Sequence, residues 1–354
     1  MNDFFKPRAA KPKADSAQKS AEVDHSAYTP WIEKYRPKKV DDVAYQDEVV
    51  AVLKKVLGGA DLPHLLFYGP PGTGKTSAAL AMCRQLFKTP EVFRDRLLEL
   101  NASDERGIQV VRTRIKEFSQ RSIGPSSLGG SVGQMKIIIL DEADAMTSVA
   151  QAAMRRTIEK YSHTTRFILI CNYISRIIDP LTSRCAKFRF KPLPVEKQLE
   201  RLQFICKEEK VNLDEEALKT LVQLTEGDLR KAVTYLQSLA SSNTAVDSAF
   251  IRNITGRIDD QVIDDILAVL RSKDVNAVIK LTEKLRQQGY GGRQIILQLY
   301  EPLLTTDDLT DMCKAEVFEK MAEIECRLMD GADDFLQTMS LLVAIHEQYR
   351  KVNN

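Results

Sequence analysis

The stretch that most restricts this chain runs Leu65-Leu66-Phe67-Tyr68-Gly69-Pro70-Pro71-Gly72-Thr73-Gly74-Lys75-Thr76. A short apolar segment ends in a glycine-rich turn, and a helix-compatible run starts at Ser77. This is the P-loop pattern G-x-x-x-x-G-K-[ST] between a strand and a helix, and every position fits. Each residue type has a task in holding phosphate. Gly72 and Gly74 let backbone N–H groups close round phosphate oxygens without a Cβ in the way. Lys75 supplies a cation to the outer phosphates, and the Thr76 hydroxyl suits Mg²⁺. The helix N-terminus adds its partial positive charge.

The flanking pattern predicts the fold class. Five short apolar runs read as strands: 64–68, 96–100, 136–140, 166–170 and 186–190. Helical patterns separate the first four, which indicates an α/β unit with a parallel five-stranded sheet and crossover helices. Several of these runs are continuously apolar, as strands covered on both faces should be. Residues 122–133, rich in Gly and Ser, read as a flexible loop. After Pro192 and Pro194 only helical patterns follow. Residues 196–255 read as one small helical unit, with Asp214 a candidate N-cap and Ala217, Leu218, Leu221 and Val222 a buried stripe. Longer amphipathic helices fill the rest, among them 262–270, 275–288 and 335–349, with no catalytic constellation. The N-terminal 28 residues, rich in Lys, Ala, Ser and Pro, are expected to be disordered. The predicted organisation is therefore a tail at 1–28, a nucleotide-binding domain at 29–191, a small helical domain at 192–256 and a further helical domain at 257–354.

Composition excludes little. A chain of 354 residues with net charge +2 can carry a basic patch only locally. Its six cysteines form no C-x-x-C pair, and most lie in apolar runs, as reduced core thiols do. There is no apolar run of membrane-spanning length.

A second motif answers the first. The run Ile137-Ile138-Ile139-Leu140-Asp141-Glu142-Ala143-Asp144 places carboxylates at the C-terminal end of a buried strand, where open α/β sheets bind ligands. Asp141 would hold the metal, and Glu142 would orient and polarise an attacking water. Asp144 reads equally as the cap of the loop that follows it. Asn172 ends the next strand, where its amide would meet a terminal phosphate or the water; alone it would read as a turn residue. Arg184, just before the last strand, and Arg230, at a helix start in the second unit, offer forked cationic contacts to phosphate. Either alone would more often be a surface ion pair.

The order of these motifs, ending in Ser183-Arg184-Cys185 and Gly227-Asp228-Leu229-Arg230, resembles the clamp-loader branch of the AAA+ ATPases. The runs Trp31-Ile32-Glu33-Lys34-Tyr35-Arg36-Pro37, Leu98-Glu99-Leu100-Asn101-Ala102-Ser103-Asp104-Glu105-Arg106-Gly107 and Cys171-Asn172-Tyr173 are similar to the small subunits of replication factor C, within that family most to the fungal second-subunit branch. The resemblance covers about residues 30–240 strongly and the C-terminal helices weakly. It implies an AAA+ domain, a helical lid and an oligomerising collar, with ATP and Mg²⁺ as ligands. It implies Asn172 as sensor 1, Arg230 as sensor 2 and Arg184 as an arginine finger acting on a neighbour's ATP. Tyr35, Arg36, Pro37 and Val43 would wall the adenine pocket, with residues 69–77 on the phosphates: Gly69, Pro70, Pro71, Gly72, Thr73, Gly74, Lys75, Thr76 and Ser77. Four other replication factor C subunits, the sliding clamp PCNA and primer–template DNA are the implied partners, in the nucleus and away from membranes. A protein-remodelling AAA+ unfoldase is the competing class, but no aromatic pore loop follows the second strand.

Two surfaces remain ambiguous from sequence. A helix expected over 104–118 would bury Ile108, Val111, Ile115 and Phe118. Its opposite side carries Arg106, Gln109 and Thr113, flanked by Arg112 and Lys116, and the resemblance adds Arg176 on a later loop. Arg106, Arg112 and Arg176 are the candidate contacts to DNA backbone, against an ordinary solvated face. Leu86-Phe87 and Val92-Phe93 bracket a proline turn at the far end of the sheet. Phe87, Val92 and Phe93 are either clamp contacts, as the family implies, or core packing.

Overall fold

The structure is a computed structural model, and it describes residues 29–43, 45–103, 108–121, 135–225, 227–241 and 248–352. The expected tail at 1–28, the loop at 122–133, Arg106 and the expected start of its helix lie outside the described residues. The side chain of Arg112 does too, although its backbone is helical.

The described residues open with α1 (Trp31–Lys34) and α2 (Asp47–Leu57). An alternating series follows: β1 (Leu65–Tyr68), α3 (Lys75–Phe87), α4 (Pro90–Arg96), β2 (Leu97–Asn101), α5 (Ile108–Gln120), β3 (Lys136–Asp141), α6 (Ser148–Tyr161), β4 (Thr165–Cys171), α7 (Asp179–Thr182) and β5 (Ala186–Arg189). The strands form one parallel sheet in the order β2-β3-β4-β1-β5. Side chains alternate along each strand, so the sheet feeds two cores. Leu65, Phe67, Ile137, Ile139, Ile168 and Ile170 face α3, with Ala79, Met82 and Cys83 in the same core. Leu66, Ile138, Leu140, Phe167 and Leu169 face the other way, onto Ile115 and Phe118 of α5 and Met154 and Ile158 of α6. Burial on both faces explains why the strands read as unbroken apolar runs.

The strand order has a direct consequence. The P-loop follows β1, Asp141 ends β3, and β4 lies between those two strands. The residue after β4, Asn172, therefore stands between the phosphate loop and the acidic pair.

Beyond the sheet come α8 (Val195–Glu209), α9 (Glu215–Thr225), α10 (Leu229–Ala240) and α11 (Ser248–Thr255). Their core holds Leu202, Ile205, Leu218, Leu221, Leu236 and Ile251. Trp31, Ile32 and Tyr35 pack against this core rather than against the sheet. Three hydrogen bonds between residues distant in sequence fix them there. Trp31 N donates to Gln237 Oε1 at 3.0 Å, Arg201 Nη2 to Tyr35 O at 2.7 Å, and Tyr35 Oη to Glu209 Oε1 at 2.6 Å. The last five helices, α12 (Asp260–Arg271), α13 (Val275–Gln287), α14 (Gly292–Thr305), α15 (Asp311–Met329) and α16 (Asp334–Val352), enclose a separate apolar core.

At Phe87 the structure gives the core-packing reading. Phe87 is 1% exposed, in the core beneath the sheet. It follows Leu80 and Cys83 on the inner side of α3, so it is a packing residue and offers no clamp contact. The proline between the two pairs, Pro90, starts α4, and Val92 and Phe93 on that helix are half-buried against the same core. Among the described residues all six cysteines are free, and no helix is long and apolar enough to cross a membrane. Burial pushes the Cys171 thiol up to about 12 and that of Cys185 up to about 11, so both stay protonated.

Candidate active site

Backbone shape prepares the phosphate loop. Gly69, Gly72 and Gly74 all have positive φ, of 144°, 73° and 89°. Gly74 caps α3, whose first turn points its N–H groups into the loop. A Cβ on Gly74 would meet nothing within 4 Å, so its surroundings are open. A Cβ on Gly72 would lie 2.0 Å from Asp228 Oδ1, so the start of α10 rests directly on the loop. Asp228 is also the N-cap of α10, accepting from Arg230 N at 2.9 Å and Lys231 N at 3.3 Å.

The functional side chains converge as the strand order requires. Lys75 Nζ donates to Gly69 O and Pro70 O at 2.8 Å each and to Asn172 Oδ1 at 2.9 Å. Burial lowers its affinity for a proton below the usual lysine range, while Asp141 pulls the other way. Thr76 Oγ1 donates to Asp141 Oδ2 at 2.7 Å. Glu142 sits at φ 53°, a left-handed conformation uncommon outside glycine and often found at functional sites. Its N–H donates to Asp141 Oδ1 at 2.9 Å. Arg36 reaches across to α3, with Nε donating to Ser77 Oγ at 3.2 Å.

These groups line one cleft of about 460 Å³ between the sheet edge and the second helical unit. Tyr35, Arg36, Pro37, Val43, residues 71–77, Asp141, Glu142, Asn172 and Arg230 all border it. Gly69 and Pro70 shape the loop from outside the cleft. Sequence reasoning missed the apolar wall made by Trp31, Ile32, Leu193, Ile205, Leu229 and Val233, and the charged side chains beside it, Arg201, Glu33 and Asp42. Ile205, Leu229 and Val233 fall in stretches that the sequence marked only as helical, which does not say what they face.

Arg184 stands apart. It does not border the cleft. Its Nη2 pairs with Glu159 of α6 at 2.6 Å and its Nη1 donates to Pro180 O at 2.6 Å, on an open surface. Arg176 is exposed, its guanidinium 5.1 Å from the centre of the Tyr173 ring.

Comparison with known proteins gives the family. Residues 65–193 match the ATPase family associated with various cellular activities (AAA), residues 200–241 an RCF1/5-like, AAA+ ATPase lid domain, and residues 258–344 the replication factor C C-terminal domain. Replication factor C subunit 4 of Homo sapiens is 52% identical over 338 residues, 95% of this chain and 93% of that protein. The chain belongs to the replication factor C small-subunit family. Replication factor C subunit 2 of Schizosaccharomyces pombe is 44% identical over 344 residues, 97% of this chain and 98% of that protein. A mutant of the RuvB protein of Thermotoga maritima shares the fold alone, with a TM-score of 0.50 at 14% identity over 66% of this chain and 80% of that one. This replication factor C subunit is thus an AAA+ ATP hydrolase that serves in a multi-subunit clamp loader.

Proposed function

We propose that the chain is an ATPase subunit of a heteropentameric clamp loader, which opens the ring-shaped clamp PCNA and closes it on primer–template DNA in the nucleus. The observation that carries its active, hydrolysing character is the Lys75–Asn172 and Thr76–Asp141 pairing, with Glu142 beside it on the same cleft. A subunit that only bound nucleotide would have no use for that acid.

The triphosphate would lie along the Gly72–Thr76 amides. Lys75 would exchange the Gly69 and Pro70 carbonyls for phosphate oxygens, keeping its charge where the terminal phosphate sits. The hard oxygen pair of Thr76 and Asp141 suits Mg²⁺. That ion, when bound, would neutralise charge on the phosphate oxygens. Glu142 would orient the attacking water and polarise it, Asn172 would align the terminal phosphate, and Arg230 would bring the lid to the same nucleotide. The base would enter between Tyr35, Arg36, Pro37 and Val43. Arg184, outside the cleft and on an open surface, would serve the ATP of an adjoining subunit.

The organisation we propose keeps residues 29–191 as the nucleotide-binding domain, 192–256 as the lid and 257–354 as the collar that joins four other replication factor C subunits. Arg106, Arg112 and Arg176 would hold DNA through its backbone without regard to sequence. Val92 and Phe93, partly open on α4, are what remains of the proposed clamp contact. The test of the hydrolytic role is Glu142→Gln in the assembled complex. It should bind ATP as the parent does and turn it over poorly, because Asp141 and Thr76 are untouched while the water loses its partner. Parental turnover at that site would overturn the role given to Glu142.

A further inference from the structure

Asp144 belongs to the acidic motif but is used by neither the phosphate loop nor the Thr76–Asp141 pair. Its Oδ2 accepts from two consecutive main-chain amides, Asn172 N and Tyr173 N, each at 3.1 Å. Those amides come just after Cys171, the last residue of β4 in register with β1. The sheet ladder therefore stops where the sensor side chain begins, and a carboxylate from the turn after β3 takes over. The other end of Asn172, its amide oxygen, meets Lys75 Nζ at 2.9 Å.

We propose that Asp144 is a positioning residue for ATP hydrolysis: one carboxylate oxygen fixes the main chain at Asn172 and so holds the Asn172 amide against Lys75 and the phosphate site. The acceptor oxygen is what the geometry requires, not the negative charge, since both bonds end on a single oxygen. The proposal rests on the reading of Asn172 given above. Tyr173, held by the same oxygen, carries the Arg176 guanidinium on its ring. The test needs no DNA and is independent of that contact.

Two roles compete at this position. Asp144 also adds negative charge near Lys75, and a purely electrostatic part would act through that charge. Asparagine separates the two, because it keeps an acceptor oxygen and loses the charge. Turnover at this subunit's site is measured in the assembled complex, with the other sites disabled, for the parent, Asn172→Ala, Asp144→Ala and Asp144→Asn. Amide hydrogen exchange is followed on the same full-length chains. Asp144→Ala should lower kcat by roughly 10- to 100-fold, as loss of a supporting hydrogen bond to an active-site group does, with KM for ATP little changed. Asp144→Asn should restore most of the turnover. Exchange at residues 172 and 173 should quicken in Asp144→Ala alone, with protection kept through β4.

Parental turnover in Asp144→Ala would overturn the proposal. So would an Asp144→Asn chain as impaired as Asp144→Ala, which would assign the effect to charge, or loss of protection along all of β4, which would make it structural. Parental turnover in Asn172→Ala would instead refute the role of Asn172, and the proposal would fall with it.

Discussion

Replacing Gly72 by alanine should push the lid off the phosphate loop. Gly72 sits at φ 73°, and a Cβ there would lie 2.0 Å from Asp228 Oδ1, 2.6 Å from its Cγ and 2.9 Å from its Cα. A side chain in the left-handed region costs about 1–2 kcal/mol. Asp228 must also withdraw, which strips α10 of a cap worth about 0.5–2 kcal/mol. Together these give roughly 1.5–4 kcal/mol. Gly74 is the control. Its φ is 89° and a Cβ there meets nothing, so Gly74→Ala carries the backbone cost alone. The assay is urea denaturation of the nucleotide-free chain, followed by fluorescence of Trp31, its one tryptophan, which packs on the lid core. Gly72→Ala should lose more stability than Gly74→Ala by about 0.5–2 kcal/mol, the value of the cap. Adding Asp228→Gly to both should narrow that gap, as contacting residues couple. Equal losses at the two glycines, or a gap that persists without the Asp228 side chain, would refute the contact.

Lys136 is buried at the start of β3, and its ammonium closes the C-terminal end of α5 by donating to Phe118 O at 2.6 Å, Ser119 O at 3.4 Å and Arg121 O. Lys136→Met should cost about 2–4 kcal/mol in thermal denaturation, since several carbonyls lose a charged donor, and a negligible loss would argue against that account. His64 is held neutral, its titration pushed down to about 4 by burial and by Arg166, with Nδ1 accepting from Phe167 N at 3.2 Å. The unfolded chain takes up this proton near pH 6.5 and the folded chain only near 4. Stability should therefore be intact above about 6.5 and fall by at most about 1.4 kcal/mol per pH unit between them, and His64→Phe should flatten urea midpoints across that window. Arg112→Ala and Arg176→Ala should each lower the salt slope of DNA binding by roughly one unit, and unchanged slopes in both would make these side chains bystanders.

The parts readable from sequence were those with local causes. The P-loop glycines, the apolar strands and the acidic run after β3 carry their reasons in neighbouring residues. Strand order does not, because nothing in the run 165–171 says that it will lie between β1 and β3. The pairing of Lys75 with Asn172 follows from that order and so appeared only with the fold. The apolar wall of the cleft was hidden for a similar reason. Trp31 and Tyr35 precede the sheet in sequence yet dock on helices more than 160 residues away, through Gln237, Arg201 and Glu209. Phe87 was open to two readings because an aromatic at a helix end suits a surface anchor and a core equally. Its spacing of four from Cys83 and seven from Leu80 put it on the buried side.

The central claim is that this subunit holds a complete set of hydrolytic groups and lends one arginine to a neighbour. Arg184 tests it most directly, because it lies outside the cleft, paired with Glu159. Complexes are assembled in which this subunit alone carries Arg184→Ala, and single-site turnover is measured with the other sites disabled in turn. An arginine finger supplied in trans raises phosphoryl-transfer rates by roughly 10³–10⁵ in systems where it operates. Turnover should collapse at the adjoining site, while this subunit binds and hydrolyses its own ATP as before. A loss confined to its own site, with the neighbour unaffected, would contradict the account.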